Sequence, residues 1–227
     1  MQRRNLILGG VAVLGLGGWA LTSQMGRRDD PFGSTALPGA ANAQTNAAEV
    51  DTSGIADMVL GNPDSAVEVI EYASFTCPHC ATFHTGAFKQ LKSDYIDTGK
   101  IRFVYREVYF DRPGLWASMI ARCGGAERFF GIADLIYKGQ ASWARAGEPA
   151  AIVEELRKIG RLAGLDNDTL DACLQDAEKA QTLVAWWQQN GERDGINSTP
   201  SFLINGTKQS NMPYDEMKAL IEAELGS

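Results

Sequence analysis

The sequence predicts an α/β fold made of a strand–helix–strand unit, a helical insertion and a strand–strand–helix unit, in that order along the chain. The first unit is indicated by two strand-like runs, residues 66–75 and 101–110, with a helix-like stretch between them. The insertion is indicated by apolar side chains at helical spacing over roughly the next 80 residues. The last unit is indicated by the run Pro200–Ile204, followed by Asn205-Gly206, a dipeptide typical of tight hairpin turns.

The first unit, residues 53–110, contains a turn signal, Asn-Pro-Asp, at residues 62–64. Val67–Tyr72 is rich in apolar and β-branched side chains, which predicts a buried strand. A helix is predicted from Pro78 to about Tyr95. Residues 101–110 alternate and are rich in β-branched and aromatic side chains, so they predict a second strand. A strand, a helix and a strand in so short a stretch form a right-handed βαβ unit.

The helical insertion is predicted to occupy residues 111–194. Trp116, Met119, Ile120 and Cys123 recur at the i, i+3, i+4, i+7 spacing of one helix face. Further helical runs are Phe130–Tyr137, Ala150–Leu162 and Thr169–Trp187.

The final unit is predicted to occupy residues 195–227. After the strand and its Asn-Gly turn, Thr207–Gln209 is the predicted return strand and Pro213–Leu225 the predicted closing helix. With the first unit it forms one α/β domain that the insertion interrupts.

Residues 1–21 have the pattern of an export signal peptide or signal anchor. Arg3 and Arg4 form a basic start, and Leu6–Leu21 is an uncharged run. This run is shorter than the roughly 20 residues of a membrane-spanning helix, but it is long enough to anchor the chain when left uncleaved. Sec-type and twin-arginine export both fit the start, and Ala41-Asn42-Ala43 is a candidate cleavage site.

Residues 22–52 are rich in Ala, Gly, Ser, Thr, Asn and Pro and lack apolar periodicity, which predicts a flexible linker. We therefore expect a periplasmic protein that is either soluble or tethered to the inner membrane by its N-terminal segment.

The charge argues against a role in binding nucleic acid. The chain has a formal net charge of −7; without the four arginines and two aspartates of residues 1–43, the remainder has 17 basic and 26 acidic residues, a net charge of −9. Such an acidic domain repels nucleic acid and anionic lipid.

The most specific feature is Cys77-Pro78-His79-Cys80, between the first strand and the first helix. A thiol is nucleophilic as its thiolate, and a helix N-terminus stabilises an anion through free N–H groups and a partial positive charge. Pro78 suits the first turn because it has no N–H to leave unpaired. His79 can add a hydrogen bond or a charge, and Cys80 can resolve a mixed disulfide. The arrangement predicts a redox centre in which the Cys77–Cys80 disulfide is the redox group, with no cofactor and no metal.

Two metal-centred alternatives are weaker. A Cys-x-x-Cys pair can be half of a zinc site, but zinc normally has four ligands, and the only local cluster would be Cys77, Cys80 and His84. Covalent haem attachment requires a histidine directly after the second cysteine, where this chain has Ala81. We interpret His84 as an ordinary helix residue.

With these features in place, the chain resembles the DsbA-like thiol:disulfide interchange proteins of the thioredoxin superfamily. The matching segments are Gly61–Asp64, Glu71–Cys80 and Ser198–Gly206, and the resemblance runs from about Met58 to Leu225. Cys-Pro-His-Cys after such a strand is highly specific, whereas each other segment is weak alone. The resemblance implies a thioredoxin fold interrupted by a helical domain, and oxidation of substrate thiols in an oxidising compartment.

The resemblance also implies roles for individual residues. Cys77 would be the exposed nucleophile and Cys80 the buried resolving cysteine. Pro200 would be a cis-proline beside the disulfide, and the backbone of Thr199 would pair with an extended substrate. Glu71 would be a buried acid that assists proton transfer at Cys80. An ordinary trans proline and a partly exposed strand glutamate are the alternatives.

The other two cysteines, Cys123 and Cys173, both fall within apolar helical stripes and should face the helical core. In an oxidising compartment a structural disulfide between them is the first interpretation. Buried free cysteines that act as small apolar side chains are the alternative.

We therefore expect an exported thiol–disulfide oxidoreductase that introduces disulfides into substrate proteins. A disulfide reductase or isomerase is the alternative within this class, and a tethered binding or chaperone module is the alternative outside it. The intact motif favours an enzyme. The expected partners are reduced exported proteins and a membrane re-oxidant of the DsbB type. A monomer is expected because nothing after the linker supplies a dimerisation region.

Overall fold

The structure is a computed structural model that describes residues 50–226. The signal segment predicted at residues 1–21 and nearly all of the linker predicted at residues 22–52 lie outside the described residues. None of the helices in the described part of the chain combines the length and the apolar character needed to span a bilayer.

A five-stranded mixed sheet forms the centre of the fold, with the spatial order β1-β3-β2-β4-β5. The strands are β1 (Met58–Gly61), β2 (Glu68–Ala73), β3 (Arg102–Glu107), β4 (Ser201–Ile204) and β5 (Thr207–Ser210). The strands β2 and β3 are parallel, and the other neighbours are antiparallel. The four strands expected from the sequence are confirmed, although the second ends at Glu107 rather than Phe110. The edge strand β1 is not predicted, because four residues are too few to display an alternating pattern.

The hairpin between β4 and β5 confirms the turn expected at Asn205-Gly206. These residues have φ angles of 45° and 80°, the left-handed backbone conformation that favours an Asn-Gly pair in a two-residue hairpin.

Helices cover the sheet and form the insertion. They are α1 (Pro78–Thr85), α2 (Ala87–Leu91), α3 (Arg112–Cys123), α4 (Gly125–Trp143), α5 (Pro149–Leu162), α6 (Asn167–Gln175), α7 (Ala177–Arg193) and α8 (Tyr214–Leu225), with a π-helical turn, Lys92–Ile96, after α2. Because α3 to α7 all lie between β3 and β4 in the chain, the expected helical insertion is confirmed.

Two predicted helices are interrupted. The helix predicted over Pro78–Tyr95 breaks at Gly86, whose backbone (φ −120°, ψ −96°) leaves the helical region. The helix predicted over Thr169–Trp187 breaks at Asp176, whose side chain accepts a backbone N–H of the following turn. Aspartate at that position stabilises a new helix start. The apolar periodicity continues across the break and therefore does not reveal it.

The alternation of β2 positions the candidate site. Ile70 and Tyr72 belong to a small apolar cluster on one face of the sheet, where Trp187 of α7 packs. Val69 and Glu71 point to the opposite face, which belongs to the main core. Glu71 therefore lies under α1, the helix that begins directly after Cys77 and contains Cys80.

Candidate redox site

Cys77 and Cys80 lie where β2 passes into α1. Cys77 is the residue before the helix, with an extended backbone (φ −77°, ψ 120°), and Pro78 takes the first helical position. Cys80 is fully buried, whereas Cys77 is only partly covered. The motif therefore presents one sulfur to an incoming group and hides the other.

The environment of Cys77 favours its thiolate. A hydrogen bond from Cys80 is the largest of the effects that lower the pKa of Cys77 to about 5. The side chain of Thr199 and the backbone N–H groups of Cys80 and His79 also lower this pKa, while partial burial raises it. The helix start thus acts through its backbone donors. His79 contributes through its N–H, and its side chain is exposed.

The environment of Cys80 favours its neutral thiol. Burial is the main reason that its pKa lies far above the ordinary value, and the neighbouring Cys77 and the charge of Glu71 raise this pKa further. Cys80 therefore keeps its proton and donates it in a hydrogen bond to Cys77. The reduced pair carries one negative charge, on the accessible sulfur.

Glu71 is fully buried beneath α1 and pairs with His84. His84 Nε2 lies 2.9 Å from Glu71 Oε2 and 3.1 Å from Oε1, and the His84 residue is only 4% exposed. The interpretation of His84 as an ordinary helix residue is therefore wrong. The sequence held one signal of this burial: Cys80 and His84 are four residues apart, and residues at that spacing share one face of a helix.

Two tyrosines enclose this pair. The ring of His84 stacks on Tyr137 of α4, with centroids 4.3 Å apart, and meets the edge of Tyr105 of β3. The two tyrosine hydroxyl oxygens lie 2.6 Å apart and share a hydrogen bond. Burial raises the pKa of both tyrosines well above the ordinary value, so both keep their protons at neutral pH.

Thr199 and Pro200 lie against Cys77, and the peptide bond between them is cis. When Cys77 is protonated, its thiol donates a hydrogen bond to the carbonyl oxygen of Thr199, with Sγ 3.3 Å away. The hydroxyl oxygen of Thr199 is buried and has no hydrogen-bond partner among the described residues. The Thr199 side chain is also one of the groups that lower the Cys77 pKa, so we assign this hydroxyl as a donor to the ionised sulfur.

Gln140, on α4 of the insertion, is a site residue that sequence reasoning missed. It is buried, and its Nε2 donates to the backbone oxygens of Phe75, at 2.7 Å, and Cys77, at 2.9 Å. The insertion therefore holds the loop that carries Cys77. A single glutamine within a helical run gives no signal of a contact across more than sixty residues of chain.

The second cysteine pair lies within the insertion. Cys123 at the end of α3 and Cys173 in α6 are joined by a disulfide, with the sulfurs 2.07 Å apart and the Cα atoms 5.9 Å apart. In residues 50–226, no three His, Cys, Asp or Glu side chains converge to hold a metal ion.

The fold and the site together define a class of protein. A mixed sheet carries an asymmetric Cys-x-x-Cys pair at a strand-to-helix junction, a proline-started strand lies beside the pair, and a helical domain interrupts the sheet. These are the features of a thioredoxin fold of the DsbA type.

Comparison with known proteins agrees with this class. The chain belongs to the thioredoxin family, whose model, described as Thioredoxin, matches residues 53–223. A putative protein-disulfide oxidoreductase of Rickettsia bellii is 39% identical over 170 residues, which are 74% of this chain and 64% of that protein. Disulfide bond formation protein D of Bacillus subtilis is 26% identical over 179 residues, covering 74% of this chain and 76% of that protein.

A solved structure shows the same architecture. The crystal structure of α-DsbA1 of Wolbachia pipientis has a TM-score of 0.69 and 27% identity to this chain, and the match covers 80% of this chain and 96% of that one. The expectation of a DsbA-like thioredoxin fold is therefore confirmed.

Proposed function

We propose that this protein is an exported thiol–disulfide oxidoreductase that introduces disulfides into reduced proteins through Cys77 and Cys80. The observation that carries the proposal is the asymmetry of the two sulfurs. The accessible one has a pKa lowered to about 5, and the buried one remains a neutral thiol. The names of the Rickettsia and Bacillus relatives, which refer to protein-disulfide oxidoreduction and disulfide bond formation, support the same activity.

The reaction begins with the Cys77–Cys80 disulfide. A substrate thiolate attacks the Sγ of Cys77, because the Sγ of Cys80 is buried. A bond forms between the substrate sulfur and Cys77, the Cys77–Cys80 bond breaks, and Cys80 leaves with the electron pair and takes up a proton. The backbone of Thr199, 3.3 Å from the sulfur of Cys77 through its carbonyl oxygen, lies where an extended substrate segment would pair with it.

A second substrate thiolate then attacks the substrate sulfur of the mixed disulfide. Cys77 leaves as a thiolate, and a thiol of low pKa is a good leaving group. The substrate departs with a new disulfide, and the enzyme holds the two electrons. Two protons leave the substrate thiols and one is taken up by Cys80, so one proton is released to solvent.

The direction of transfer follows from the stability of the reduced enzyme. Every interaction that stabilises the Cys77 thiolate stabilises the reduced state, and this makes the disulfide a stronger oxidant. A complete cycle requires re-oxidation of the dithiol, which we assign to a membrane partner of the DsbB type. We place the activity in the periplasm, an oxidising compartment in which reduced exported proteins are the substrates.

Stoichiometric transfer of a disulfide to a reduced, unfolded protein tests the proposal. The oxidised chain should form one substrate disulfide per Cys77–Cys80 disulfide consumed, as counted by alkylation and mass spectrometry. C77S should abolish transfer. With a disulfide-containing substrate, the Cys77 thiolate of C80S should attack a substrate sulfur, release the other as a thiolate and, lacking a resolving cysteine, accumulate as a mixed disulfide. The matched control is C123A/C173A, which removes the other cysteine pair and should retain transfer.

Two outcomes would contradict the proposal. The first is transfer by C77S at the wild-type rate. The second is a reduced enzyme that breaks substrate disulfides faster than the oxidised enzyme forms them, which would assign the reductase or isomerase activity instead.

A further inference from the structure

We propose that the groove between α1 and α4 binds the part of a reduced substrate protein that continues past its reacting cysteine. Arg145, at the active-site end of this groove, selects substrates that carry an acidic side chain in that part. The inference rests on the proposed function, because it names the class of substrate that Cys77 and Cys80 oxidise.

The groove begins beside the redox motif. It has a volume of about 580 Å³, and it is lined by Thr76 and Pro78, the residues on either side of Cys77. Small side chains form much of its walls, such as Ala81 of α1 and Ala141 of α4. A cleft of this size is in the range that holds a ligand, and its small side chains leave room for those of an extended peptide. A substrate bonded to Cys77 starts at its mouth.

The groove lies on the opposite side of α1 from Thr199. Phe83 of α1 packs against Phe202 of β4, with ring centroids 4.9 Å apart, and β4 begins shortly after Thr199 in the chain. Ala81 lines the groove instead, because residues two apart in a helix point in directions about 200° apart. A substrate that crosses Cys77 therefore has the backbone of Thr199 on one side and the groove on the other.

Contacts between α1 and α4 place the end of α4 beside the motif. His84, near the end of α1, stacks on Tyr137, whereas Gln140, further along α4, reaches the backbone oxygen of Cys77 just before α1. The two helices are therefore antiparallel, and α4 ends close to the start of α1. Arg145 follows the end of α4 and lines the groove, so it lies at the active-site end.

Arg145 is the charged residue of the groove that is left without a partner. Its side chain is exposed and forms no ion pair or hydrogen bond among the described residues. Lys138, the other basic residue that lines the groove, pairs with Asp134 at 2.7 Å. Asp111, the acidic residue that lines it, accepts hydrogen bonds through both carboxyl oxygens, one of them from Thr76. A carboxylate in the groove would therefore find one free cation.

The charge of the rest of the chain sharpens this selection. Residues 44–227 include 17 basic and 26 acidic residues, a net charge of −9, so the protein as a whole repels an acidic substrate. An acidic side chain is favoured only where it meets a free cation. Because the groove lies on one side of Cys77, the preference for an acidic residue should hold on one side of the substrate cysteine and not on the other.

Oxidation of matched dithiol peptides by the oxidised full-length chain tests this inference. The peptides are uncharged except for a single Glu or Lys placed a few residues before or after the first cysteine, and the rate is measured by acid quenching, alkylation and mass spectrometry. Since a neighbouring charge also changes the acidity of the peptide thiol, the readout is the Glu-to-Lys rate ratio of wild type divided by that of R145E. Each exposed pairing of charges changes the rate by about twofold, and the quotient contains four of them, so we expect about 16-fold on one side of the cysteine.

The matched control is R128E, because Arg128 is an exposed arginine near the other end of α4. It changes the net charge by the same amount, so its quotient should stay within about twofold of one. The quotient for R145E should fall toward one in 1 M sodium chloride, where charges are screened within about 3 Å. A low-salt quotient for R145E within twofold of one on both sides of the cysteine would overturn the inference and leave the groove to another partner, such as the re-oxidant.

Filling the groove gives a second test that does not depend on charge. Ala141 is exposed and lines the groove, so A141W should slow oxidation of the peptides relative to reduction of the same protein by dithiothreitol, which is too small to need the groove. The control is A126W, at an exposed residue of α4 that does not line the groove. Equal ratios for the two variants would overturn the inference. A wild-type protein that oxidises none of the peptides would instead refute the proposed function, so the two failures are distinguishable.

Discussion

Replacing Thr199 by valine tests the origin of the Cys77 thiolate. T199V removes a hydroxyl donor and preserves the shape of the side chain. The Thr199 hydroxyl has no hydrogen-bond partner among the described residues, so its removal leaves no neighbouring protein group unsatisfied. A hydrogen bond to a charged group contributes about 1.5–3 kcal/mol. The lower value applies here because Cys77 is partly exposed to solvent, which weakens electrostatic interactions.

This free energy corresponds to a shift in the pKa of Cys77 and to a shift in the reduction potential of the Cys77–Cys80 disulfide. Since one pKa unit corresponds to about 1.4 kcal/mol, the pKa of Cys77 should rise by about one unit from its value of about 5. At pH 7 Cys77 remains ionised in both proteins, so the whole difference destabilises the reduced form. The reduction potential should therefore fall by about 30 mV.

The assay is the ultraviolet absorbance of the thiolate in the reduced protein as a function of pH, followed by equilibration of the disulfide with glutathione buffers. The matched control is T207V, which makes the same change at an exposed residue of β5 and should leave both quantities unchanged. If T199V titrates at the same pH as wild type, the assignment of the Thr199 hydroxyl as a donor to Cys77 is wrong.

Three further predictions concern the surroundings of the motif. Glu71→Gln removes a negative charge that raises the pKa of Cys80, so Cys80 in a C77S background should be alkylated faster at high pH; an unchanged rate would mean that Glu71 does not act on this sulfur. Gln140→Leu removes the side-chain donor of two backbone carbonyls, of which that of Cys77 still accepts from the N–H of Ala81, and should lower the free energy of unfolding by about 1–3 kcal/mol in urea. The exposed Gln90→Leu serves as its control, and an equal effect of the two changes would contradict the positioning role of Gln140. Replacing Cys123 and Cys173 by alanine opens a loop with a sequence separation of 50 and should lower the free energy of unfolding by roughly 2–4 kcal/mol, whereas an unchanged urea midpoint would remove their stabilising role.

The fold was predictable because its signals are local. Residues 66–75 and 200–206 show strand and turn patterns within a few residues, and the Cys-Pro-His-Cys motif fixes the junction between strand and helix. The breaks at Gly86 and Asp176 were not predictable, because the apolar periodicity continues through both. Edge strand β1 pairs only with β3 and is too short to show a pattern.

The site was predictable only where its residues lie in a recognisable segment. Cys77, Cys80 and Glu71 lie in one short stretch of chain, and Pro200 lies in a second. Gln140 reaches the site from a helix more than sixty residues away, through contacts that exist only after the insertion packs against the domain. His84 lies close to the motif, but its pairing with Glu71 depends on the orientation of α1 over the sheet, which sequence spacing alone does not give.

The lowered pKa of Cys77 also determines how the free energy of unfolding of the reduced protein changes with pH. The Cys77 pKa is lower in the folded protein than its ordinary value of 9.0. The thiolate therefore stabilises the reduced fold fully above about pH 9, and this contribution is lost as the pH falls toward about 5. The oxidised protein has no such group. As the pH falls from about 9 to about 5, urea denaturation should therefore show the unfolding free energy of the reduced form decreasing relative to that of the oxidised form. A constant difference between the two forms would contradict the lowered pKa.

The reduction potential of the Cys77–Cys80 disulfide at pH 7 tests the central claim most directly. A dithiol whose nucleophile titrates near pH 7, as in thioredoxin, has a reduction potential of about −270 mV. A Cys77 pKa of about 5 stabilises the reduced form by about two further pKa units, or about 60 mV at roughly 30 mV per unit. Equilibration with glutathione buffers should therefore give about −210 mV or a less negative value, the range of a protein oxidant. A value of about −270 mV or lower would show that the reduced form is not stabilised and would contradict the proposed oxidase.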